Sequence, residues 1–380
     1  MSWLKEGVKQ AQALANVVDC KVRGAGRKKI ALHIPPRRIL LLNAAHLGDV
    51  VISTSVIPIL RSAYPGAEIG FVVGSWAQAV VMGHPAIQYV HCVDHWRKNR
   101  IDSNFWTKWR RYRKSSAIAL AEIREVGYDV ALCLSTVFPD LLELAWAAEI
   151  PERVGFRPSR SAPYATRLVD LPQGAFLTEG SRQVEVLKAF PIGEDHLALR
   201  KSMLAPSDAA AWDEVERLLA PLGVAKVAYR VVHVGSGARF KEMPWQFWRE
   251  VAEMLSGSHL LIFTGHGEHE LEMIEAILAG IPNALNACGK LSWNGFVAAV
   301  RGAEFLYGVD SVAGHVAAAV GTPCAVLSAG ANLVGRWRPD GERVTVFSNP
   351  MPCSPCHLPN GCAEMSCLHA ATPETLVSLG

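Results

Sequence analysis

A polar loop after the first apolar run of the chain carries an aspartate that could do chemistry. The run from Arg38 to Asn43 is followed by Leu47-Gly48-Asp49 and then by further apolar residues. An aspartate at this point stabilises the start of a helix, which contributes about 0.5–2 kcal/mol. The same carboxylate could take a proton from a substrate hydroxyl as a general base. From the residues alone, both roles remain open.

Two further loops combine glycine, serine and charged residues in the same position, between an apolar run and a helical segment. They contribute Gly235, Ser236 and Lys241 in one case, and Asp310, Ser311, Gly314 and His315 in the other. Backbone N–H groups at such a helix start bind anions, and a lysine adds a compact positive charge. Neither loop has the phosphate-loop or dinucleotide-binding glycine pattern. A structural turn and a buried histidine are the alternatives to a site for a phosphate-bearing ligand.

Basic and aromatic residues alternate between His95 and Lys114, where Asp102 is the one acidic residue. The arginines are Arg97, Arg100, Arg110, Arg111 and Arg113, and the aromatic residues are Trp96, Phe105, Trp106, Trp109 and Tyr112. A helix that only faces solvent rarely carries so many aromatic residues. Such mixtures suit anionic saccharide-lipids, membrane interfaces or single-stranded nucleic acid.

Four of the nine cysteines lie close together near the end of the sequence, as Cys353, Cys356, Cys362 and Cys367. Their spacing fits a tetrahedral Zn site or a rubredoxin-like Fe site. Disulfides and free thiols are the alternatives. Four protein ligands would close such a site, so a catalytic role for the metal is not expected. The other five cysteines are isolated in apolar surroundings, as buried thiols of a cytosolic protein are.

The elements that must position these loops alternate regularly along the chain. Short apolar runs, typical of parallel strands buried on both faces, begin at Arg38, Glu68, Tyr89 and Tyr128 and, after a Pro-containing segment at 191–206, at Val231, Leu260, Phe305 and Cys324. Helical segments lie between them. This alternation predicts two doubly wound α/β domains. Ligands of such sheets bind beyond the carboxyl ends of the strands, where the polar loops lie.

Composition sets the broad class. The chain has 380 residues, of which 50% are hydrophobic, and a net charge of +3. This excludes a disordered or fibrous protein and argues against a dedicated nucleic-acid binder. No apolar stretch reaches the ~18 residues of a membrane span, and the N-terminus lacks the features of a signal peptide. We expect a helical and basic extension at 1–36, domains at 37–195 and 196–350, and a Cys-rich tail at 351–380. For residues 1–29, a packed appendage helix and an interfacial membrane helix are the alternatives.

Taken in order, several short motifs resemble those of the bacterial ADP-heptose:lipopolysaccharide heptosyltransferases, glycosyltransferase family 9. They are Leu47-Gly48-Asp49, Tyr64-Pro65-Gly66, Tyr128-Asp129-Val130, Arg153-Val154-Gly155-Phe156, the loop from Gly235 to Lys241, Phe263-Thr264-Gly265, Asp310-Ser311 with His315, and the cysteine-rich tail. The resemblance runs from about residue 37 to the end of the chain. Val312, Met243 and Gly314 depart from the family pattern beside the donor loops, which leaves the exact sugar open.

The resemblance implies a GT-B fold, with two Rossmann-like doubly wound α/β domains facing a central cleft. It implies inverting transfer of a heptose from ADP-heptose to an inner-core lipopolysaccharide acceptor, without a catalytic metal. Asp49 matches the catalytic base, and Lys241 matches the lysine that contacts the donor diphosphate. Glu268 matches, within one or two positions, the acidic residue near the donor ribose. The implied donor site comprises Gly235, Ser236, Lys241, Glu268, Asp310, Ser311, Gly314 and His315; the acceptor side holds Arg97, Arg100, Arg110, Arg111 and Arg113.

The expected partners are the nucleotide-sugar and an anionic glycolipid or protein acceptor, and no nucleic acid is expected. We expect a cytoplasmic protein with peripheral contact to the inner membrane, and Zn or Fe at the four C-terminal cysteines as the candidate structural metal. Two alternatives stay open. One is a protein O-heptosyltransferase of the same family. The other is a metal-stapled nucleic-acid-binding module, whose polynucleotide binding would depend steeply on salt.

Overall fold

A computed structural model of the chain describes residues 15–18, 35–137, 139–159, 161–172, 177–222, 227–331, 334–358 and 360–380. Apart from residues 15–18, which are helical, the expected N-terminal extension lies outside the described residues. The chain divides into two compact units, Met1–Lys201 and Ser202–Gly380. The domain boundary expected from the sequence lies at residues 195 and 196, a few residues before this division.

The first unit is built on six parallel strands in the order β3-β2-β1-β4-β5-β6. The strands are β1 Arg38–Leu42, β2 Glu68–Val73, β3 Tyr89–Cys92, β4 Val130–Cys133, β5 Glu152–Arg157 and β6 Arg167–Asp170. In the centre of the sheet, Leu41 of β1 lies between Phe71 and Leu132 of its two neighbours. β1 and β4 are apolar and buried because helices cover both faces of the sheet, as the sequence pattern predicts.

Helices of the first unit lie between the strands. They are α1 Leu47–Ser53, α2 Ile57–Ala63, α3 Gln78–Val81, α4 Phe105–Val126, α5 Leu142–Ala147, α6 Glu179–Glu185 and α7 Glu194–Leu197. The longest, α4, begins where Asn104 Oδ1 accepts the N–H of Thr107 at 2.9 Å, and it ends at Gly127, whose φ is 69°. Its fully buried residues are Ala119 and Ile123, both in the second half. The first half of α4 therefore covers little of the core.

A polar cluster, buried at His91 and Tyr128 and exposed at Glu122, holds the second half of α4 against the sheet. His91 Nδ1 lies 2.9 Å from Glu122 Oε2 on α4, and His91 Nε2 lies 2.8 Å from the hydroxyl of Tyr128. The Tyr128 ring packs over Gly70, where a Cβ atom would lie only 1.9 Å from the Tyr128 oxygen. Gly70 is therefore required by close packing, and the cluster fixes the end of α4 that precedes β4.

The second unit repeats the architecture, with six parallel strands in the order β12-β11-β10-β7-β8-β9. The strands are β7 Tyr229–His233, β8 Leu260–Thr264, β9 Ala284–Asn286, β10 Phe305–Val309, β11 Cys324–Leu327 and β12 Val344–Phe347. The helices are α8 Ala209–Leu219, α9 Trp245–Ser256, α10 Glu268–Leu278, α11 Trp293–Gly302, α12 Val312–Val320, α13 Val334–Trp337, α14 Ser366–His369 and α15 Pro373–Val377. Two doubly wound parallel α/β units confirm the predicted fold class.

The cysteine-rich tail is part of the core of the second unit. Met365, Cys367 and Leu368 belong to the same buried cluster as Trp248 of α9 and Phe263 of β8. Removing this segment would expose the apolar surface that it covers. Among the residues that the structure describes, no helix is long and apolar enough to cross a membrane.

Candidate active site

The loop between β1 and α1 fixes the carboxylate of Asp49. Asp49 is the third residue of α1, and its Oδ2 accepts the backbone N–H of His46 at 3.0 Å. Asn43 stiffens the loop: its Nδ2 donates to Ser53 Oγ at 2.6 Å, and Ser53 donates to the carbonyl oxygen of Asp49 at 2.9 Å. The capping role open from the sequence is therefore present. Among the hydrogen bonds of the described residues, none involves the other carboxylate oxygen, Oδ1.

Charged groups of the first unit act on Asp49 from other loops. Burial raises the pKa of Asp49, Lys98 and Arg100 oppose that rise, and Glu179 adds to it. Burial also lowers the pKa of Arg100, which Asp49 in turn counteracts. A carboxylate with a raised pKa is a better proton acceptor than an exposed one. The loop after β3 thus places two cations, Lys98 and Arg100, near Asp49. Arg100 was among the residues predicted for the acceptor side, and Lys98 was not.

A continuous row of aromatic rings runs from the loop after β3 onto the exposed half of α4. We call Trp96, Phe105, Trp106 and Trp109 the aromatic row; consecutive ring centroids lie 5.3, 5.4 and 6.2 Å apart, each pair edge to face. Three of its side chains are well exposed, Phe105 at 48%, Trp106 at 66% and Trp109 at 38%. Rings of this size that pack on each other but not on the core form an apolar surface patch.

The five arginines predicted for the acceptor side do not meet at one point. Arg100 lies near Asp49. The guanidinium groups of Arg97 and Arg113 lie 4.8 and 5.7 Å from the ring centroids of Trp96 and Trp109. Arg111 Nε pairs with Asp94 Oδ2 at 3.2 Å, and Arg110 is exposed. The predicted set therefore divides between the surroundings of Asp49 and the surface of the aromatic row.

A cavity of about 260 Å³ lies beside this surface, between α4 and α5. Its lining includes His95, Tyr112, Arg113, Asp140 and Glu143. Burial, with help from the nearby cations Arg97 and Lys98, lowers the pKa of His95 to about 4, so this imidazole is neutral at pH 7. The mixture of cation, carboxylates and ring faces suits a polar, hydroxyl-rich ligand rather than a purely apolar one.

In the second unit, the loops after β7 and β10 are joined directly. Lys241 Nζ donates to Asp310 Oδ2 at 2.7 Å, and Ser236 Oγ donates to the carbonyl oxygen of Asp310 at 3.2 Å. Ser236 N–H also donates to Glu242 Oε1 at 3.0 Å. β7 and β10 are neighbours in the sheet, so their carboxyl ends place the two loops side by side. The two loops singled out in the sequence form one site.

The start of α12 leaves a buried hydroxyl without a partner. Ser311 precedes the helix, but its side chain does not cap the helix. The Ser311 Oγ atom is inaccessible and has no hydrogen-bond partner in the described part of the chain. An unsatisfied buried hydroxyl costs about 1–3 kcal/mol, a cost that a bound acceptor atom removes. A helix N-terminus with such a donor suits a phosphate.

His315 and Gly314 contribute to the site in different ways. Burial lowers the pKa of His315 to about 4, so its imidazole is neutral at pH 7 and brings no positive charge to the site. Gly314 permits close packing of α12, because a Cβ atom there would lie 2.8 Å from Val326 Cγ2 and 2.9 Å from Pro339 Cγ. The geometry of Gly314 therefore indicates a packing role.

Glu270 lies beside the ends of both β7 and β8. Its Oε2 accepts the N–H of His266 at 2.9 Å, and its carboxyl group fills the space beside Gly235 and Gly265, where added Cβ atoms would lie 2.0 and 2.7 Å from it. Burial raises the pKa of Glu270. Glu268 is exposed at the first position of α10. The sequence prediction named Glu268 within one or two positions, and of the residues in that range Glu270 is the one that lies beside the two glycines.

The described residues do not form a metal site at the four C-terminal cysteines. No group of three or more His, Cys, Asp or Glu side chains is placed to hold a metal ion in the described ranges. Cys353 and Cys362 are exposed, whereas Cys367 is buried in the core of the second unit. The residues in this arrangement do not fit a tetrahedral Zn or Fe ion, which needs four converging thiolates.

Comparisons with known proteins identify the family to which the chain is similar. The sequence model of glycosyltransferase family 9 (heptosyltransferase) matches residues 119–364. The chain is 25% identical over 331 residues to lipopolysaccharide heptosyltransferase 1 of Pseudomonas aeruginosa, covering 84% of this chain and 86% of that protein. Among solved structures, a glycosyl transferase family 9 protein from Veillonella parvula superposes with a TM-score of 0.77 at 20% identity, covering 93% and 98% of the two chains.

The ADP-heptose lps heptosyltransferase II of Escherichia coli also superposes, with a TM-score of 0.68 at 18% identity over 90% of this chain and 97% of that one. The two Rossmann-like units are those of the GT-B fold, and the class of protein is a glycosyltransferase. The chain belongs to glycosyltransferase family 9, the heptosyltransferases. The alternative of a non-enzymatic nucleic-acid-binding module is therefore wrong.

Proposed function

We propose that this enzyme transfers a heptose from ADP-heptose to the inner core of lipopolysaccharide, with inversion at the anomeric carbon and Asp49 as the general base. The observation that carries the proposal is the donor-type site of the second unit, where the unpartnered Ser311 hydroxyl lies next to the Lys241–Asp310 pair. Similarity to lipopolysaccharide heptosyltransferase 1 supports the sugar and the acceptor class.

The second unit supplies the groups that bind a diphosphate. Lys241 is held by Asp310 at 2.7 Å and can turn its ammonium group to a phosphate oxygen. The backbone N–H groups at the start of α12 donate to the same anion, and the Ser311 hydroxyl joins them once its side chain turns out of its buried position. The leaving group gains negative charge as the sugar–oxygen bond breaks, so these donors stabilise the transition state by electrostatics alone. Glu270, beside Gly235 and Gly265, is placed to accept from hydroxyl groups of a bound ribose.

The first unit supplies the base. The acceptor hydroxyl donates to Asp49 Oδ1, gives up its proton to that carboxylate and forms the new bond to the anomeric carbon. The bond from that carbon to the diphosphate oxygen breaks at the same time, and its electron pair leaves with ADP. Attack from the face opposite ADP inverts the configuration. Lys98 and Arg100, which act on Asp49, hold the anionic acceptor close to the base.

The surface of α4 extends the acceptor side toward a lipid. Arg97 and Arg113 stack on the aromatic row, and Arg110 is exposed beside it. Tryptophan rings bury their faces at a membrane interface while arginines pair with phosphate groups there. We place the anionic glycolipid and the cytoplasmic surface of the inner membrane at this patch. The predicted arginines of the acceptor side then have two roles. Arg100 binds the sugar near Asp49, whereas Arg97, Arg110 and Arg113 bind the lipid at α4.

The Zn or Fe predicted at the C-terminal cysteines stays a prediction. A bound metal would require Cys353, Cys356 and Cys362 to rearrange around Cys367. Elemental analysis of protein purified without added metal, together with a thiol titration, checks this. Stoichiometric Zn or Fe supports the metal, and four titratable thiols without metal contradict it. In either case the proposed chemistry does not pass through the metal.

A donor panel tests the proposed function. ADP-, UDP-, GDP- and dTDP-sugars are compared for binding by calorimetry, and the ADP-heptose reaction is followed by mass spectrometry of an inner-core lipopolysaccharide acceptor. We expect ADP-heptose to bind best and the acceptor to gain one heptose. Preference for another nucleotide, or transfer only to a protein acceptor, contradicts the proposal.

A further inference from the structure

The cysteine-rich tail, residues 351–380, contacts the loop that carries Lys241. Gly361 lies directly against Phe240, the neighbour of Lys241: a Cβ atom added at Gly361 would lie 2.8 Å from Phe240 Cβ and 3.0 Å from Phe240 Cγ. Real side chains do not approach so closely, so only a glycine lets the backbone of the tail lie on this ring. Phe240 also packs against the core of the second unit.

The turn that presents Gly361 is held in place by its own contacts. Gly361 has a φ of 69°, which favours glycine independently of the contact with Phe240. Met365 crowds the same position, because a Cβ atom at Gly361 would lie 2.7 Å from Met365 Sδ, which also accepts the N–H of Cys362 at 3.4 Å. Met365 and Cys367 are buried in the core. The tail therefore offers Phe240 a fixed surface rather than a loose strand.

A second contact joins the tail to the loop after β11. The N–H of His357 donates to the carbonyl oxygen of Ala331 at 2.9 Å. Gly330 faces Ser354, because a Cβ atom there would lie 2.2 Å from Ser354 Oγ. In the sheet, β11 and β7 are the two neighbours of β10. The tail thus touches the loops on both sides of the one that carries Asp310 and Ser311.

We propose that Gly361 and the tail position Lys241 for the donor diphosphate, acting through Phe240. This inference rests on the proposed role of Lys241. Residues Arg239–Lys241 form a single 3₁₀ turn, closed by the bond from Lys241 N–H to the carbonyl oxygen of Ala238 at 2.9 Å. In so short a turn, a shift of the Phe240 ring moves Lys241 away from Asp310 and the anion site. Lys241 is the binding group, and Gly361 is a positioning residue.

The test compares two glycine substitutions with the same backbone cost. Gly361→Ala introduces strain at a φ of 69° and clashes with both Phe240 and the flexible end of Met365, whereas Gly280→Ala introduces strain at a φ of 76° with nothing within 4 Å. ADP affinity is measured by calorimetry, together with the unfolding temperature of each full-length variant. We expect both unfolding temperatures to fall, but ADP affinity to fall about 5- to 10-fold only in Gly361→Ala, because a displaced binding group loses much of its effect.

A second variant covers the case in which Gly361→Ala does not fold. Phe240→Ala removes the ring that the tail supports without changing the tail, and we expect a similar loss of ADP affinity. Wild-type affinity in a folded Gly361→Ala, or in Phe240→Ala, overturns the positioning role. Lys241→Ala distinguishes a failure of the positioning role of the tail from a failure of the proposed donor site. If Lys241→Ala weakens ADP binding and neither of the other variants does, only the tail inference fails; if Lys241→Ala binds ADP like the wild type, the proposed donor site fails as well.

Discussion

The loops after β1 and after β10 each lead from a central strand of their sheet into a helix, but they leave the starts of the two helices in opposite states. At α1, the carboxylate of Asp49 accepts the N–H of His46, so the protein itself supplies the negative charge at the helix start. At α12, Ser311 does not cap the helix and its hydroxyl has no partner. A helix start that already holds a carboxylate suits proton transfer, whereas an uncapped one suits an external anion.

Charge around the two loops sharpens the contrast. Asp49 is a part-buried acid whose pKa is raised by burial, with Lys98 and Arg100 nearby as counter-charges. In the second unit, Lys241 is held by Asp310, and the neighbouring His315 is neutral. The same Rossmann-like architecture thus carries a base in one unit and an anion site in the other. The following substitutions and the pH profile test the assignment of the base to the first unit and of the anion site to the second.

The largest effect is expected for Asp49→Asn. Loss of a general base lowers turnover by about 10²–10⁴-fold. Since burial raises the pKa of Asp49 above its usual range, the ionised form disfavours the folded state at pH values above that pKa. The neutral amide removes this penalty, so the unfolding temperature should be unchanged or higher. Calorimetry of unfolding and steady-state kinetics check both parts; a destabilised variant with normal turnover would make Asp49 a helix cap only.

The pH profile gives a second test of the same carboxylate. The acidic limb of kcat should lie above the usual pH range of an aspartate, because the protonated form of Asp49 is inactive and its pKa is raised. Activity should fall as the pH drops through that pKa. In Asp49→Asn the residual rate should show no such limb. An acidic limb that persists unchanged in the variant would assign it to another group.

A smaller effect is expected for Lys241→Ala. Loss of a charge-assisted hydrogen bond costs about 1.5–3 kcal/mol, so the affinity for ADP should fall about 10- to 100-fold. Asp310 then loses its partner at 2.7 Å, and Lys241→Ala/Asp310→Asn is the control that removes both charges. Calorimetric titration with ADP is the measurement. Equal ADP affinity in the wild type and the single variant would remove Lys241 from the donor site.

The patch on α4 should affect the lipid and not the nucleotide. Each basic residue near an anionic membrane contributes about 1 kcal/mol, so Arg110→Gln and Arg113→Gln should each lower binding to phosphatidylglycerol vesicles about 5-fold. Arg217→Gln, on α8 of the second unit, is the charge-matched control. Vesicle sedimentation at two salt concentrations checks this, with ADP affinity measured in parallel. If all three variants lose the same amount of vesicle binding, the patch on α4 contributes no more than any other charged surface.

The smallest effect is expected for Ser311→Ala. A neutral hydrogen bond contributes about 0.5–1.5 kcal/mol, so ADP affinity should fall about 2- to 10-fold. Because Ser311 Oγ has no protein partner in the described residues, its removal should not lower the unfolding temperature. An unfolding temperature that falls while ADP affinity stays constant would show that Ser311 serves the fold.

The sequence pattern predicted the central strands and the grouping of their loops. β1, β8 and β10 are continuous apolar runs because helices cover both faces of the sheet. The edge strand β3 was predicted, but four described strands were missed: β5, which is interior, and β6, β9 and β12, whose residues are mostly part-exposed. The loops that carry Lys241 and Asp310 meet because β7 and β10 are neighbours in the sheet. Apolar periodicity predicts the strands but gives only a rough indication of their order.

Details of the site depended on contacts that spacing does not encode. Glu270 and Glu268 are two positions apart, and only the three-dimensional path of α10 shows which one lies beside Gly235. Lys98 acts on Asp49 across the sheet edge, from a loop far away in the chain. The four cysteines are close in sequence, yet Cys367 is buried in the core while Cys353 and Cys362 face solvent. Proximity along the chain therefore did not show how the four thiols are arranged in space.

The most direct measurement of the central claim determines turnover and ADP affinity for Asp49→Asn and Lys241→Ala side by side. We expect opposite patterns. Asp49→Asn should bind ADP like the wild type and lose most of its turnover, and Lys241→Ala should lose ADP affinity first. If Asp49→Asn loses as much ADP affinity as Lys241→Ala, or retains near-normal turnover, the assignment of the base to the first unit and the donor diphosphate to the second is contradicted.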